Sequence, residues 1–258
     1  MSNLLMGDFI TGLLIFLRIT AMMFSTPIFS NSNISPSIRL FFSLIITYIL
    51  YFTVPKVDFN PENGLIPLAL LGFKEIITGL LMGFVLYFVF WGISYAGSLI
   101  GFDMGLAMAE IFDPTTEAQN NIIGEMILLL ATLIFILING HHFIIRALAA
   151  SFQIIPLGHF SINQSVIDML IKFSTGIFIL AVKISAPILV SFFLIHIGAG
   201  IISRIIPQMQ VFFVIQPLKI GMGFLFLILV LPIYVTVIKN LLMSYEDNLY
   251  ELLKAMSL

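Results

Sequence analysis

From Leu65 to about Ala109 the sequence is apolar, with Lys74-Glu75 the only charges before Asp103. Drawn as one straight helix, those roughly 45 residues would extend ~68 Å at ~1.5 Å each. The hydrocarbon core of a bilayer is only ~30 Å thick. Such a segment has to break, fold back or leave the bilayer, and the glycine-rich part from Gly92 to Gly105 is the expected place. The rest of the chain is similarly apolar: 60% of its 258 residues are hydrophobic and 9% charged. A globular domain carries roughly 25% charged residues, so this chain belongs in or against lipid, or inside a very apolar assembly. A net charge of −2 gives no electrostatic case for binding nucleic acid. Without cysteine, disulfides and thiolate metal sites are excluded.

Taken in order, the N-terminus has no basic region and carries Asp8, so the first apolar segment is expected to be retained. That segment, Phe9 to Phe29, is apolar except for Arg18 and breaks at Pro27. Ile38 to Val54 follows, then a polar link, then the long segment. Thr116 with Gln119 has the form of a capping box and predicts a helix ending at Asn139-Gly140. Phe143 to Ile155 is short and carries Arg146. Two long apolar segments, Phe173 to Ser203 and Ile205 to Ile238, lead to an amphipathic tail from Ser244 to Lys254. The tail is expected to lie helically on a membrane surface or a partner. No segment alternates, so the fold class is all-α with six or seven segments.

The charges are placed unusually. Arg18, Lys74, Glu75, Arg146, Lys183 and Lys219 stand singly or as one pair inside apolar segments. A charge at membrane depth costs at least a few kcal/mol unless it meets protein or water. These helices are therefore expected to face other subunits or water more than lipid.

Gly97, Gly101 and Gly105 recur four apart, and Gly79 with Gly83 repeats that spacing. Small residues at this interval let helix backbones approach closely, and a row running into a polar loop also supplies freedom for a bend. The loop that follows is acidic, with Glu110, Asp113, Glu117 and Glu125 after Asp103 and no Lys or Arg between Lys74 and Arg146. Met104, Met108 and Phe112 beside it are either core filling or a deformable seal. His141-His142 reads as a polar cap, since adjacent histidines on one helix do not chelate one ion easily. His159 and His196 are isolated and carry no signal. No catalytic, cofactor-binding or metal-binding motif is present in the sequence. Broken helices with intramembrane charge also fit a secondary transporter of a small solute, with Glu75, Glu110 or Lys183 as coupling groups.

Several stretches in order resemble the FliR family of the bacterial flagellar type III export gate. Phe16 to Arg18, Phe24 to Phe29 and Pro36 to Arg39 are similar to the family's opening. Gly101 to Ala109 with Phe112 to Pro114, then Asn139 to His142, Ser151-Phe152 and Pro156 to Gly158, continue the likeness. Ala181 to Lys183, Pro187, Gln208 to Gln210, Pro217 to Lys219 and Pro232 resemble the two-helix subunit FliQ. The resemblance implies a non-enzymatic subunit without cofactor, in which residues 1–172 are FliP-like and 173–258 form a FliQ-like helix pair. With FliP and FliQ, helical hairpins of this kind would build a membrane-associated cone that passes unfolded flagellar proteins. Its place would be the inner membrane, in the flagellar basal body, with lipid around it and FlhB a further partner near the tail.

The resemblance also implies a pore plug at about residues 105–121, including Gly105, Met108, Glu110, Phe112, Asp113, Pro114, Thr115, Thr116 and Glu117. Gly97, Gly101 and Gly105 become a packing row and hinge. Arg18, Lys74, Glu75, Lys183 and Lys219 become charges directed at neighbouring subunits.

Overall fold

The computed structural model describes residues 2–30, 34–56, 64–106, 122–206 and 211–257. Among them every regular element is an α-helix: α1 Ser2–Ser25, α2 Pro36–Tyr51, α3 Leu65–Met104, α4 Ile122–Leu137, α5 Gly140–Ile154, α6 Gln164–Ile205 and α7 Val211–Met256. Four of them, α1, α3, α6 and α7, are long and apolar enough to cross a membrane, and α4 with α5 can count as a fifth, broken span.

The helix ends follow from local chemistry. Ser35 caps α2 by accepting from the Ile38 amide, and Pro36 occupies the first turn, where its missing N–H costs nothing. Asn139 adopts φ 59° between α4 and α5, a left-handed conformation that asparagine tolerates better than most residues. The expected stop at Asn139-Gly140 is thus where one helix ends and the next begins.

Residues 65–104 form one continuous helix. The expected break within Gly92–Gly105 does not occur before the last of these glycines, because α3 ends in a full Schellman cap. The Leu106 amide donates to Gly101 O at 3.1 Å, the Gly105 amide donates to Phe102 O at 3.0 Å, and Gly105 itself sits at φ +85°. Glycine is required there because a β-carbon is disfavoured in the left-handed region.

The chain divides into two compact units. The first comprises Met1–Val89, Asn139–Phe173 and Met243–Leu258. Its core is built from Leu14, Ile15, Ile19 and Met22 of α1, Met82 and Leu86 of α3, Phe143 and Phe152 of α5, and Tyr245, Leu249 and Leu253 of α7. Gly79 and Gly83 face α1 so closely that a β-carbon would strike Arg18 O and Ser25 Oγ respectively. The amphipathic tail is the last part of α7, and its apolar side, with Tyr245, Leu249, Leu252 and Leu253, is buried within this unit. Tyr245 meets Phe143 edge-on at 5.5 Å, while Asn163 Nδ2 donates to Ala255 O at 2.7 Å. At the outer side Lys56 and Asp8 pair at 2.6 Å. That hydrogen bond raises the Lys56 pKa, and because the pair is open to water it adds little to stability.

The second unit comprises Phe90–Ile138 and Ser174–Leu242. Here α3 and α4 meet at small residues: a β-carbon on Gly97 would come within 2.6 Å of Gly124 Cα and 2.9 Å of Ile123 O. Phe90 packs edge-on to Phe135 at 5.9 Å, and Tyr95 to Phe178 at 6.0 Å. Tyr234 Oη donates to Ile184 O at 2.9 Å, tying α7 to α6.

Candidate functional site

Among the described residues two polar centres interrupt this apolar fold. In the first unit Arg18, fully buried on α1, donates through Nε to Glu75 Oε2 of α3 at 2.6 Å. Its Nη1 reaches Ser151 Oγ at 3.2 Å, and both terminal nitrogens reach Ile155 O at 3.1 Å. The guanidinium also lies 4.3 Å from the centroid of the Phe152 ring. Glu75 is fully buried too, and its other oxygen accepts from the Gly158 amide at 2.7 Å. Lys74 Nζ donates to Gly158 O at 3.1 Å. Neighbours on a helix point about 100° apart, yet Lys74 and Glu75 converge on one residue by taking opposite sides of its backbone. Gly158 fits because its φ is +79°.

This hub binds α1, α3 and the turn after α5, with all three guanidinium nitrogens and both carboxylate oxygens hydrogen-bonded. A buried charge pair is tolerable only when so completely bonded. The charged groups are committed to bonds inside the protein, so the capacity of the hub is mechanical. Of the charges expected to face other subunits, Arg18, Lys74 and Glu75 have partners inside their own chain.

The second centre surrounds the C-terminal end of α3. Gln216 of α7 donates to Met104 O at 3.4 Å, and its amide occupies the space where a β-carbon on Gly105 would stand. Met104 is buried, lying across Gly223 of α7, where a β-carbon would be 2.6 Å from its terminal methyl. Asp103 lies 3.3 Å from His196 Nε2 of α6 and 3.8 Å from Lys219 Nζ of α7. Lys219, expected as an intersubunit charge, therefore meets partners within its unit, whereas Lys183 is exposed with no ion-pair partner among the described residues.

Of the plug and hinge residues, Gly97 serves close helix contact, Gly101 accepts the cap hydrogen bond, and Gly105 ends the helix. Met108, Glu110, Phe112, Asp113, Pro114, Thr115, Thr116 and Glu117 lie outside the described residues. The segment containing them leaves from a stub clamped by α6 and α7, and α4 resumes at Ile122, next to the Gly97–Gly124 crossing.

Sequence reasoning missed His196 and the acceptors Ser151 and Ile155. A lone histidine, a serine and a carbonyl in an apolar chain carry no distinguishing pattern. The only available signal was that buried opposite charges must find each other. Among the described residues no group of three metal-capable side chains occurs.

Residues 9–245 match the family model described as "Bacterial export proteins, family 1". The chain is 31% identical over 257 residues to the flagellar biosynthetic protein FliR of Bacillus subtilis, covering 97% of each. It is 25% identical over 242 residues to FliR of Escherichia coli, covering 94% of this chain and 92% of that one. It is also 32% identical over 191 residues, 72% of each chain, to the Yop proteins translocation protein T of Yersinia pestis. A match running through both polar centres and nearly every helix admits one conclusion: this chain belongs to the bacterial export proteins of family 1, the FliR family, a transport family and not an enzyme family.

Proposed function

We propose that this chain is the FliR-type subunit of a bacterial flagellar export gate in the inner membrane, within the flagellar basal body. It assembles with FliP and FliQ into a pore for unfolded flagellar proteins, and FlhB docks near its C-terminal helix. The observation that carries this is full-length similarity to FliR, covering 97% of both chains. Residues 1–172 correspond to a FliP-like part and 173–258 to a FliQ-like pair, a division by likeness rather than by packing. Residues 105–121 form the plug, with Gly105 fixing where the helix stops and Met108 and Phe112 sealing. The acids Glu110, Asp113 and Glu117 then face an aqueous lumen and need no partner in lipid. Lys183, exposed on α6, faces a neighbouring subunit.

A small-solute transporter is less well supported. Its first coupling candidate, Glu75, has both carboxylate oxygens bonded inside the protein. The recess between α4 and α7 is lined by apolar groups such as Ile127, Leu130 and Leu227, while the hydroxyl of Tyr234 is bound to Ile184.

Deleting residues 106–121 in cells producing the chain with FliP and FliQ tests the plug. The expected result is inner-membrane leakage of ions and small solutes that requires all three proteins. Unchanged permeability in a gate that still assembles would refute the plug, and failure of the intact chain to co-purify with FliP and FliQ would refute the assembly.

A further inference from the structure

One ring nitrogen in the second unit has two incompatible neighbours. His196 Nε2 lies 3.0 Å from Lys219 Nζ and 3.3 Å from Asp103 Oδ1, and the ammonium is 3.8 Å from the same carboxylate oxygen. An ammonium only donates and a carboxylate only accepts, so the protonation of Nε2 decides which of the two it can bond. The Lys219 side chain is 7% exposed and lies 5.6 Å from the centroid of the Phe192 ring, whereas the His196 side chain is 51% exposed at the surface of its unit. We propose that His196 is a proton-sensitive switch in the clamp that holds the C-terminal end of α3 against α7.

With His196 neutral and its proton on Nδ1, the Nε2 lone pair accepts from Lys219, and the lysine is held between imidazole and carboxylate. A proton gained by Nε2 turns that atom into a donor. It then bonds Asp103, the Lys219 hydrogen bond is lost, and two cations share one carboxylate. Lys219 is too enclosed to regain water where it stands, and a buried ammonium that loses a hydrogen bond while sharing its one carboxylate with a second cation is costly. The α7 segment around Gln216, Lys219 and Gly223 then separates from Asp103, Met104 and Gly105.

The charged groups bonded to His196 are Asp103 from α3 and Lys219 from α7. On its own helix the nearest charges are Arg204, 8 residues on, and Lys183, 13 residues back. These offsets place them about 12 and 20 Å away along the axis. From α4, Glu125 is exposed and makes no ion pair with it. Gln216, the other polar side chain of the clamp, does not titrate.

The chain contains no cysteine, which permits a direct measurement. A β-carbon on Gly223 would lie 2.7 Å from Met104 Cγ. With a Cβ–Cγ bond of about 1.5 Å, the two Cβ atoms of a Met104→Cys/Gly223→Cys pair are at most about 4.2 Å apart, inside the upper limit for a disulfide. The initial rate of oxidative cross-linking is measured in the full-length chain in membranes, with His196 present and with His196→Gln, from about pH 8 to about pH 5.5, the range in which histidine changes charge. Loss of thiolate slows both variants alike, so the ratio of the two rates isolates the histidine.

That ratio is expected to fall at least about threefold toward low pH. A ratio that stays flat overturns the switch. Lys219→Met in the same cysteine pair removes the group on which the proton acts, and its cross-linking should lose the parent's additional pH dependence. Retention of that dependence would overturn the proposal as well. The measurement reads the clamp itself, so its result does not depend on whether the next segment plugs a pore.

Discussion

Glu75 accepts from Arg18 on one oxygen and from Gly158 on the other, and both charged side chains are fully buried. Removing one member of such a pair strands the other without water or partner, at a cost of about 3–5 kcal/mol. Arg18→Met is therefore expected to destabilise the purified chain by that amount in denaturant titration. Pairing it with Glu75→Met should recover part of the loss, though not all, because the Gly158 amide stays unbonded. A single substitution costing under about 1 kcal/mol would mean that the hub does not hold the unit together. The sequence marked Arg18 and Glu75 as charges out of place, since the cost of a charge in an apolar helix can be judged one residue at a time. Their pairing was not legible, because the two lie 57 positions apart and nothing in an apolar sequence fixes how α1 registers against α3. The same limit hid His196, which differs from any surface histidine only through what α3 and α7 bring to it.

Glycines at intervals of four permit either a bend or close contact, and only the facing element decides between them. The α3 row divides the tasks: Gly97 meets the backbone of Gly124, while Gly105 carries the left-handed turn that ends the helix. Gly97→Ala is expected to destabilise by about 1–3 kcal/mol, since the clash is with backbone that cannot rotate away. Gly176→Ala on α6, with nothing within 4 Å, should instead be neutral or stabilising by up to ~1 kcal/mol. Gly105→Ala should cost about 1–2 kcal/mol for the left-handed conformation, plus a collision with Gln216. Gln216→Ala in the same chain should relieve the collision and leave the conformational part. Thermal unfolding of the variants in detergent separates these outcomes, and equal effects for Gly97 and Gly176 would show that packing at the α3–α4 crossing is loose. The amphipathic pattern of the tail was likewise legible from its sequence, but its cover, α5 and the turn after it, was not.

Length governs the behaviour of the whole molecule. Helices α3, α6 and α7 contain 40, 42 and 46 residues, or ~60–69 Å at ~1.5 Å per residue. None lies within a ~30 Å hydrocarbon core at the tilts of up to ~40° seen for membrane helices. Their surfaces nevertheless stay apolar over long distances. On α6, Phe178 is 56% exposed and Ile205 71% exposed, about 40 Å apart along the axis. One bilayer covers both only at the steepest of those tilts, so other protein has to cover what lipid does not. Single cysteines at Phe178 and Ile205 in the cysteine-free chain measure this with a membrane-impermeant maleimide applied to both membrane faces. In the chain produced alone, at least one position should react. With FliP and FliQ present, its labelling should fall as their helices cover it. Full protection of both positions in the isolated chain would show that lipid alone suffices. Labelling unchanged by the partners would show that this face of α6 meets water in the assembled gate, and that the surface left uncovered here lines the path of the exported chain instead of binding a neighbour.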